Sequence, residues 1–186
     1  MELVTLDTKN HAVLRKRATE ITFPLDDKTK QIIQDLKHFF AILESPFGKP
    51  AGLALPQVGL SLRIIIIQVP EEAKKIRKDV FDSLPPTVLI NPSYTLLSEH
   101  QNKDWEGCFS VPNRMGEIYR YSDIQYEGWT EEGKLIRSAA KGFLARLIQH
   151  EVAHLNGELY IDMHHPDCRI GPYAEMLAIR KEEMNH

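Results

Sequence analysis

His150-Glu151-Val152-Ala153-His154 sets two imidazoles four residues apart, with a carboxylate next to the first. On an α-helix this spacing puts both rings on one face, a turn apart, where they can share a metal ion. Glu151 can reach a water on such an ion without ligating it, accept the water's proton and pass it to a leaving group. The chemistry indicated is metal-assisted hydrolysis. The motif lies in the most apolar helical stretch of the chain, where buried His and Glu need a partner or a task.

Two histidines do not complete a catalytic centre, which needs a third protein ligand and one open position. Several residues compete for that place. The peptidase pattern H-E-x-x-H-x-x-G-x-x-H is matched as far as Gly157, but Tyr160 stands where its third histidine would be. Glu175 suits a downstream glutamate ligand of the thermolysin-like kind. His164 and His165 follow closely, although Pro166 marks a turn there. Cys168 comes after that turn, and a lone cysteine is by default a small core residue. Cys108, within Trp105-Glu106-Gly107-Cys108-Phe109-Ser110-Val111-Pro112, offers a thiolate that Fe(II), Co(II), Ni(II) or Zn(II) would keep deprotonated. Gly107 beside it allows close backbone approach.

The elements that must carry these groups follow from periodicity. Residues 139–155 read as a long helix, with Phe143, Leu144, Leu147, Ile148, Glu151 and Leu155 at 3.6-residue spacing and Asn156-Gly157 as its stop. Residues 22–43 read as another, its apolar face formed by Ile32, Ile33, Leu36, Phe39, Phe40 and Leu43, and residues 45–50 break it. Residues 62–69, 87–90, 94–97 and 117–126 read as strands, 131–134 as a hairpin turn and 172–184 as a short terminal helix. Residues 70–86, charged and bounded by prolines, read as a surface insertion. Strands clustered between two helices predict an α+β fold, with mixed or antiparallel sheets packed around the central H-E-x-x-H helix and a second long N-terminal helix.

Composition narrows the setting. The 186 residues are 42% hydrophobic and 26% charged, the values of a globular chain, and are read as a single domain over 1–186. Lys+Arg 23 against Asp+Glu 26 gives a net charge of −3, which provides no broad basic field for nucleic acid. No apolar run approaches the ~20 residues of a membrane-spanning helix. Residues 1–17 show no signal-peptide core. The two cysteines are expected to be reduced in a cytoplasmic protein. No G-x-G-x-x-G or P-loop supports a nucleotide reading.

Three motifs then carry a resemblance. Gly52-Leu53-Ala54-Leu55-Pro56-Gln57-Val58-Gly59, Glu106-Gly107-Cys108-Phe109-Ser110 and Gln149-His150-Glu151-Val152-Ala153-His154-Leu155-Asn156-Gly157 resemble, in order, the signature motifs of the peptide deformylases. Val13-Leu14-Arg15, Leu89-Ile90-Asn91-Pro92, Gly142-Phe143-Leu144-Ala145-Arg146 and Leu159-Tyr160-Ile161-Asp162 add to the match, which spans residues 14–163. The resemblance implies an enzyme that removes the formyl group from the N-terminal formyl-methionine of new polypeptides, with nascent chains near the ribosome as partners. It implies Cys108, His150 and His154 as metal ligands and Glu151 as general base, then acid. Gln57 and the backbone N–H of Phe109 are the implied oxyanion donors. The implied ion is Fe(II), replaceable by Ni, Co or Zn. On this reading the metal brings the pKa of water from about 15.7 to about 7, and the hydroxide attacks the formyl carbon.

Glu106 is then expected to accept the spare N–H of a ligand imidazole and fix its tautomer. Gly52, Phe143 and Leu147 are expected to line the pocket for the methionine side chain. The chain departs from the family pattern at Ala153, where Asp is usual, at Pro50, which removes a backbone donor, and at Leu55, which adds volume near the presumed cleft. These departures keep open a deformylase-like protein without turnover, and Glu175 keeps open an H-E-x-x-H peptidase.

Overall fold

The isoleucine-rich run forms strand β2 (Ile64–Val69), and its period-two alternation divides the side chains between two cores. Ile64 and Ile66 face helix α1 (Asp27–Ile42), while Ile65, Ile67 and Val69 face helix α2 (Gly142–Leu155). Every residue of β2 is buried, as a strand covered on both faces requires.

In this computed structural model, residues 1–45, 48–75, 77–163 and 165–184 are described. The expected break at 45–50 therefore falls partly outside the described residues, at Pro46 and Phe47, and the candidate ligand His164 lies outside them. Two antiparallel sheets make up the β structure. The larger has the order β1 (Gly52–Ala54), β2, β3 (Leu84–Leu96), β6 (Asp123–Trp129) and β7 (Leu135–Lys141); the smaller joins β4 (Gln101–Cys108), β5 (Val111–Tyr121) and β8 (Ile170–Pro172). Helix α3 (Tyr173–Met184) packs on the smaller sheet, and α2 contacts strands of both.

Several boundaries differ from the sequence expectation for local reasons. Helix α1 begins five residues later than position 22, because Asp26 caps it by accepting the amide of Thr29 at 2.7 Å and Pro24 disfavours helical backbone before it. Residues 139–141 are strand, paired with 123–125 of β6, so α2 starts at Gly142. Residues 117–126 are not one strand: the chain leaves the small sheet at Tyr121 and enters the large one at Asp123. Strand β4 was not expected at all, and it is held by seven register pairs to β5. Within residues 70–86, Glu71–Lys75 form a 3-10 helix with no buried residue, and residues 84–86 already belong to β3. Helix α2 stops where expected: Gly157 takes φ +80, and a side chain there would collide with the Arg15 backbone at 2.8 Å.

Candidate metal centre

Cys108 reaches the centre because the β4–β5 hairpin is irregular at its tip. Glu106 pairs with Gly116 but Cys108 with Val111, so the register shifts at Gly107 and two residues, Phe109 and Ser110, turn the chain. Such a bulge re-aims the side chain beside it. The tip is tied down by the Leu6 amide, which donates to the Ser110 carbonyl at 2.9 Å. Phe109 is anchored by packing against the α1-side core.

One ligand atom each from Cys108, His150 and His154 lies within 4.8 Å of the others, and Cys108 Sγ is 3.2 Å from His154 Nε2. His150 Nδ1 meets Glu106 Oε2 at 2.9 Å, which leaves Nε2 to face the centre. Glu151, on the same helical turn, is 3% exposed, and its Oε2 has no hydrogen-bond partner among the described residues. Gln57 is held by its own loop: its Oε1 accepts the Ala54 amide at 2.8 Å, and its Nε2 points to Cys108 Sγ at 3.4 Å and Ser110 Oγ at 3.3 Å. Gly52 lies against the Glu151 carboxylate, with no room between them for a side chain.

The electrostatics set the two rings apart. Burial would raise the Glu106 pKa, but the Arg120 charge and the contact with His150 hold it well below the carboxylate range. Burial likewise opposes a charge on His150, yet Cys108 and Glu106 outweigh it and raise the ring to about 10. His154 is held well below the usual range by burial and by its cationic neighbours, so the neutral ring keeps the one nitrogen lone pair that can bind a metal. Burial pushes Glu151 up to about 7, a value suited to exchanging protons near neutrality. One sulfur and two imidazoles form a donor set for a divalent transition metal, and the buried, unpartnered Glu151 oxygen beside them fits a base poised for water.

The other candidates lie elsewhere. Glu175 is exposed in the first turn of α3 and is not in the ligand group, so the geometry withdraws the alternative in which it completes the centre. His165, Asp167 and Cys168 form a separate cluster, with Tyr119 donating to Asp167 at 2.7 Å. Tyr160 is buried, with its ring stacked against His150 at 6.3 Å between centroids. Phe143 and Leu147, the residues expected to line the methionine pocket, lie on the helix that carries His150, two turns and one turn before it, and pack against the α2-side core. Ala153 is buried and unstrained in α2. Leu55 is fully buried in the α1-side core, so its added volume does not enter the metal centre.

Two arginines escaped the sequence reading. Arg120 donates to Glu106 through Nε and Nη2, both at 2.9 Å. Arg146, one turn before His150, donates to Glu106 at 2.7 Å, to the Ile118 carbonyl at 2.9 Å and to the Asn102 carbonyl at 2.6 Å. It thus ties α2 to both long strands of the small sheet. The available signal was its charge in an otherwise apolar stretch, which requires a buried partner.

With this geometry in place, comparison with known proteins is informative. A family profile described as polypeptide deformylase matches residues 2–169. Peptide deformylase 2 of Rickettsia conorii is 39% identical, covering 99% of this chain and 90% of its own. Peptide deformylase 1 of Nitrosomonas europaea is 40% identical over 78% of each chain. Among solved structures, a peptide deformylase from Synechococcus elongatus in complex with actinonin superposes with a TM-score of 0.71 at 32% identity, covering 90% of this chain and 80% of that one. The Thermotoga maritima peptide deformylase gives 0.70 at 28% identity, over 89% of this chain and 97% of that one.

Proposed function

This chain belongs to the peptide deformylase family, and from that premise we propose that Cys108, His150 and His154 hold its metal, with Glu151, Gln57 and the Phe109 amide acting on the substrate. The activity is hydrolysis of the formyl amide on the N-terminal methionine of newly made polypeptides. The observation that carries the site assignment is the convergence of one sulfur and two ring nitrogens within 4.8 Å beside a buried carboxylate whose Oε2 has no hydrogen-bond partner among the described residues.

When bound, a divalent metal makes water acidic and polarises the formyl carbonyl. The remaining work falls to the chain. Glu151, with a pKa near 7, takes the proton from the attacking water and returns it to the amine nitrogen as the C–N bond breaks. Gln57 Nε2 lies 3.4 Å from Cys108 Sγ and 3.3 Å from Ser110 Oγ, beside the centre, where its N–H group would turn to the carbonyl oxygen as negative charge builds. The Phe109 amide, fixed by the hairpin tip, is the second donor on this reading. Glu106 orients His150, while Arg120 and Arg146 keep Glu106 ionised and stationary.

Fe(II) is the ion we propose, with Ni(II), Co(II) or Zn(II) able to replace it in purified protein, since thiolate and imidazole donors suit all four. Nascent chains leaving the ribosome are the proposed partners, which places the work in the cytoplasm. No helix among the described residues is long and apolar enough to cross a membrane. The test is formate release from formyl-Met-Ala-Ser by anaerobically prepared Fe(II)- or Ni(II)-loaded protein. Glu151→Ala should abolish turnover with the metal retained, and Cys108→Ser should lose both. Metal retention by Cys108→Ser would refute the ligand set, and absence of formate with every metal would favour a deformylase-like protein without turnover.

A further inference from the structure

The charged excursion between β2 and β3 is fastened to the helix that bears the metal motif. The Asp79 carbonyl accepts the Phe143 amide at 3.0 Å, in the first turn of α2. Ala73 and Val80 pack against the α2-side core together with Ala51, Phe143 and Leu144. Between these anchors, the Arg77 guanidinium lies 4.4 Å from the centroid of the Phe143 ring.

Arg77 is no solvated cation. Its side chain is 12% exposed, and it donates to the two Asp79 carboxylate oxygens at 2.9 and 3.0 Å. It also pairs with Asp104 on β4, two residues before Glu106. One side chain therefore bridges α2 and β4, the elements that carry His150 and Cys108. Phe143, Leu147 and His150 fall at i, i+4 and i+7, on one stripe of the helix. The distance along it from Phe143 to His150 is about 10 Å.

We propose that Arg77 is a specificity-determining residue, which closes by its cover over Phe143 the far end of the pocket receiving the first side chain of the formyl peptide. This rests on the site assignment above and on the expectation from the sequence that Phe143 and Leu147 line that pocket. A side chain running from the metal ligands towards the start of α2 passes Leu147, then reaches Phe143 and the plate above it. A planar guanidinium can lie flat on a ring while its N–H edge engages two carboxylates, which an ammonium cannot do. A longer or broader substrate side chain would have to displace an ion-paired group. An unbranched chain of methionine length fits short of it.

The test compares wild type, Arg77→Ala, Arg77→Met and Asp104→Asn as metal-loaded enzymes on formyl-Met-Ala-Ser and formyl-Phe-Ala-Ser. Calorimetric binding of the products Met-Ala-Ser and Phe-Ala-Ser gives a readout independent of turnover. Arg77→Ala should raise the formyl-Phe to formyl-Met ratio of kcat/KM about tenfold, mainly through KM, with the product affinities shifting alike. Asp104→Asn, which loosens Arg77, should move both ratios in the same direction but less. Arg77→Met, which keeps part of the cover but none of the ion pairs, should shift both ratios less than Arg77→Ala does. Unchanged ratios in Arg77→Ala and Asp104→Asn, in folded protein with full metal content, overturn the proposal; so does a shift in Arg77→Met as large as that in Arg77→Ala. Failure of wild type to release formate from formyl-Met-Ala-Ser would instead overturn the underlying site assignment.

Discussion

The carboxylate of Glu151 fills the volume that a side chain on Gly52 would need: a methyl group there would stand 2.3 Å from Oε1 and 2.7 Å from Cδ. Glycine is thus required at the first position of β1 for the Glu151 carboxylate to lie where it does. Gly52→Ala must push Glu151 aside, since the alternative is moving a strand paired to β2. Misplacing a catalytic group by about 1 Å can cost 10²-fold in rate. We expect kcat/KM for formyl-Met-Ala-Ser to fall by about that factor with metal content unchanged, as measured by formate release beside metal analysis.

Glu106 accepts from two buried guanidiniums and from the ring of His150, a proposed metal ligand, so Glu106→Gln should be felt in two quantities. Leaving Arg120 and Arg146 without a buried counter-charge should cost about 3 kcal/mol of stability, read by denaturant unfolding. Releasing the His150 ring should weaken metal binding by roughly 10- to 100-fold, read by chelator competition. A variant with wild-type metal affinity would show that Glu106 serves only the arginines.

Burial of Glu151 has a measurable cost in the metal-free protein. Its folded pKa, about 7, lies above the ordinary value of 4.5, so the folded state binds the proton more tightly than the unfolded state does. Its contribution is therefore fully present below pH 4.5 and lost as pH rises through 7. At pH 8 the loss is about 3 kcal/mol. Glu151→Gln keeps the shape without the charge, so metal-free Glu151→Gln should be more stable than wild type at pH 8. The difference should close as the pH approaches 4.5. Denaturant midpoints across pH 4.5–8 check it, and parallel curves for the two proteins would contradict it.

What could be read from the residues alone depended on how local the determining interaction was. The ring spacing in α2, the stop at Gly157 and the isoleucine-rich strand at β2 are each encoded within a few residues, and local sequence pattern finds them. Strand β4 was missed because Gln101-Asn102-Lys103-Asp104 has poor strand propensity, and its pairing with β5 overrides that. The start of α2 was misplaced for the same reason, because Ala139 and Ala140 favour helix until β6 claims them. Arg77, Arg120 and Arg146 act through partners distant in sequence, so their charges could be seen but their assignments could not. Cys108 could be named among several candidates for the third ligand, but only the resemblance of its surrounding motif singled it out, because nothing in its local spacing brings it to His150.

Gln57 has two atoms with separate tasks, and Gln57→Ala removes both. Loss of the Nε2 donor should lower kcat by about 10² to 10³ with little change in KM, since the bond strengthens only as charge develops on the carbonyl oxygen. Loss of Oε1 leaves the buried Ala54 amide without its 2.8 Å acceptor, at a cost of about 1–3 kcal/mol. The two effects separate experimentally, because the stability cost moves the unfolding midpoint while the missing donor acts on the turnover of protein that is still folded. Steady-state kinetics well below the unfolding temperature, set beside a thermal melt, should show both. A lowered melting temperature with kcat intact would confine Gln57 to holding the β1 loop and leave the oxyanion to other donors.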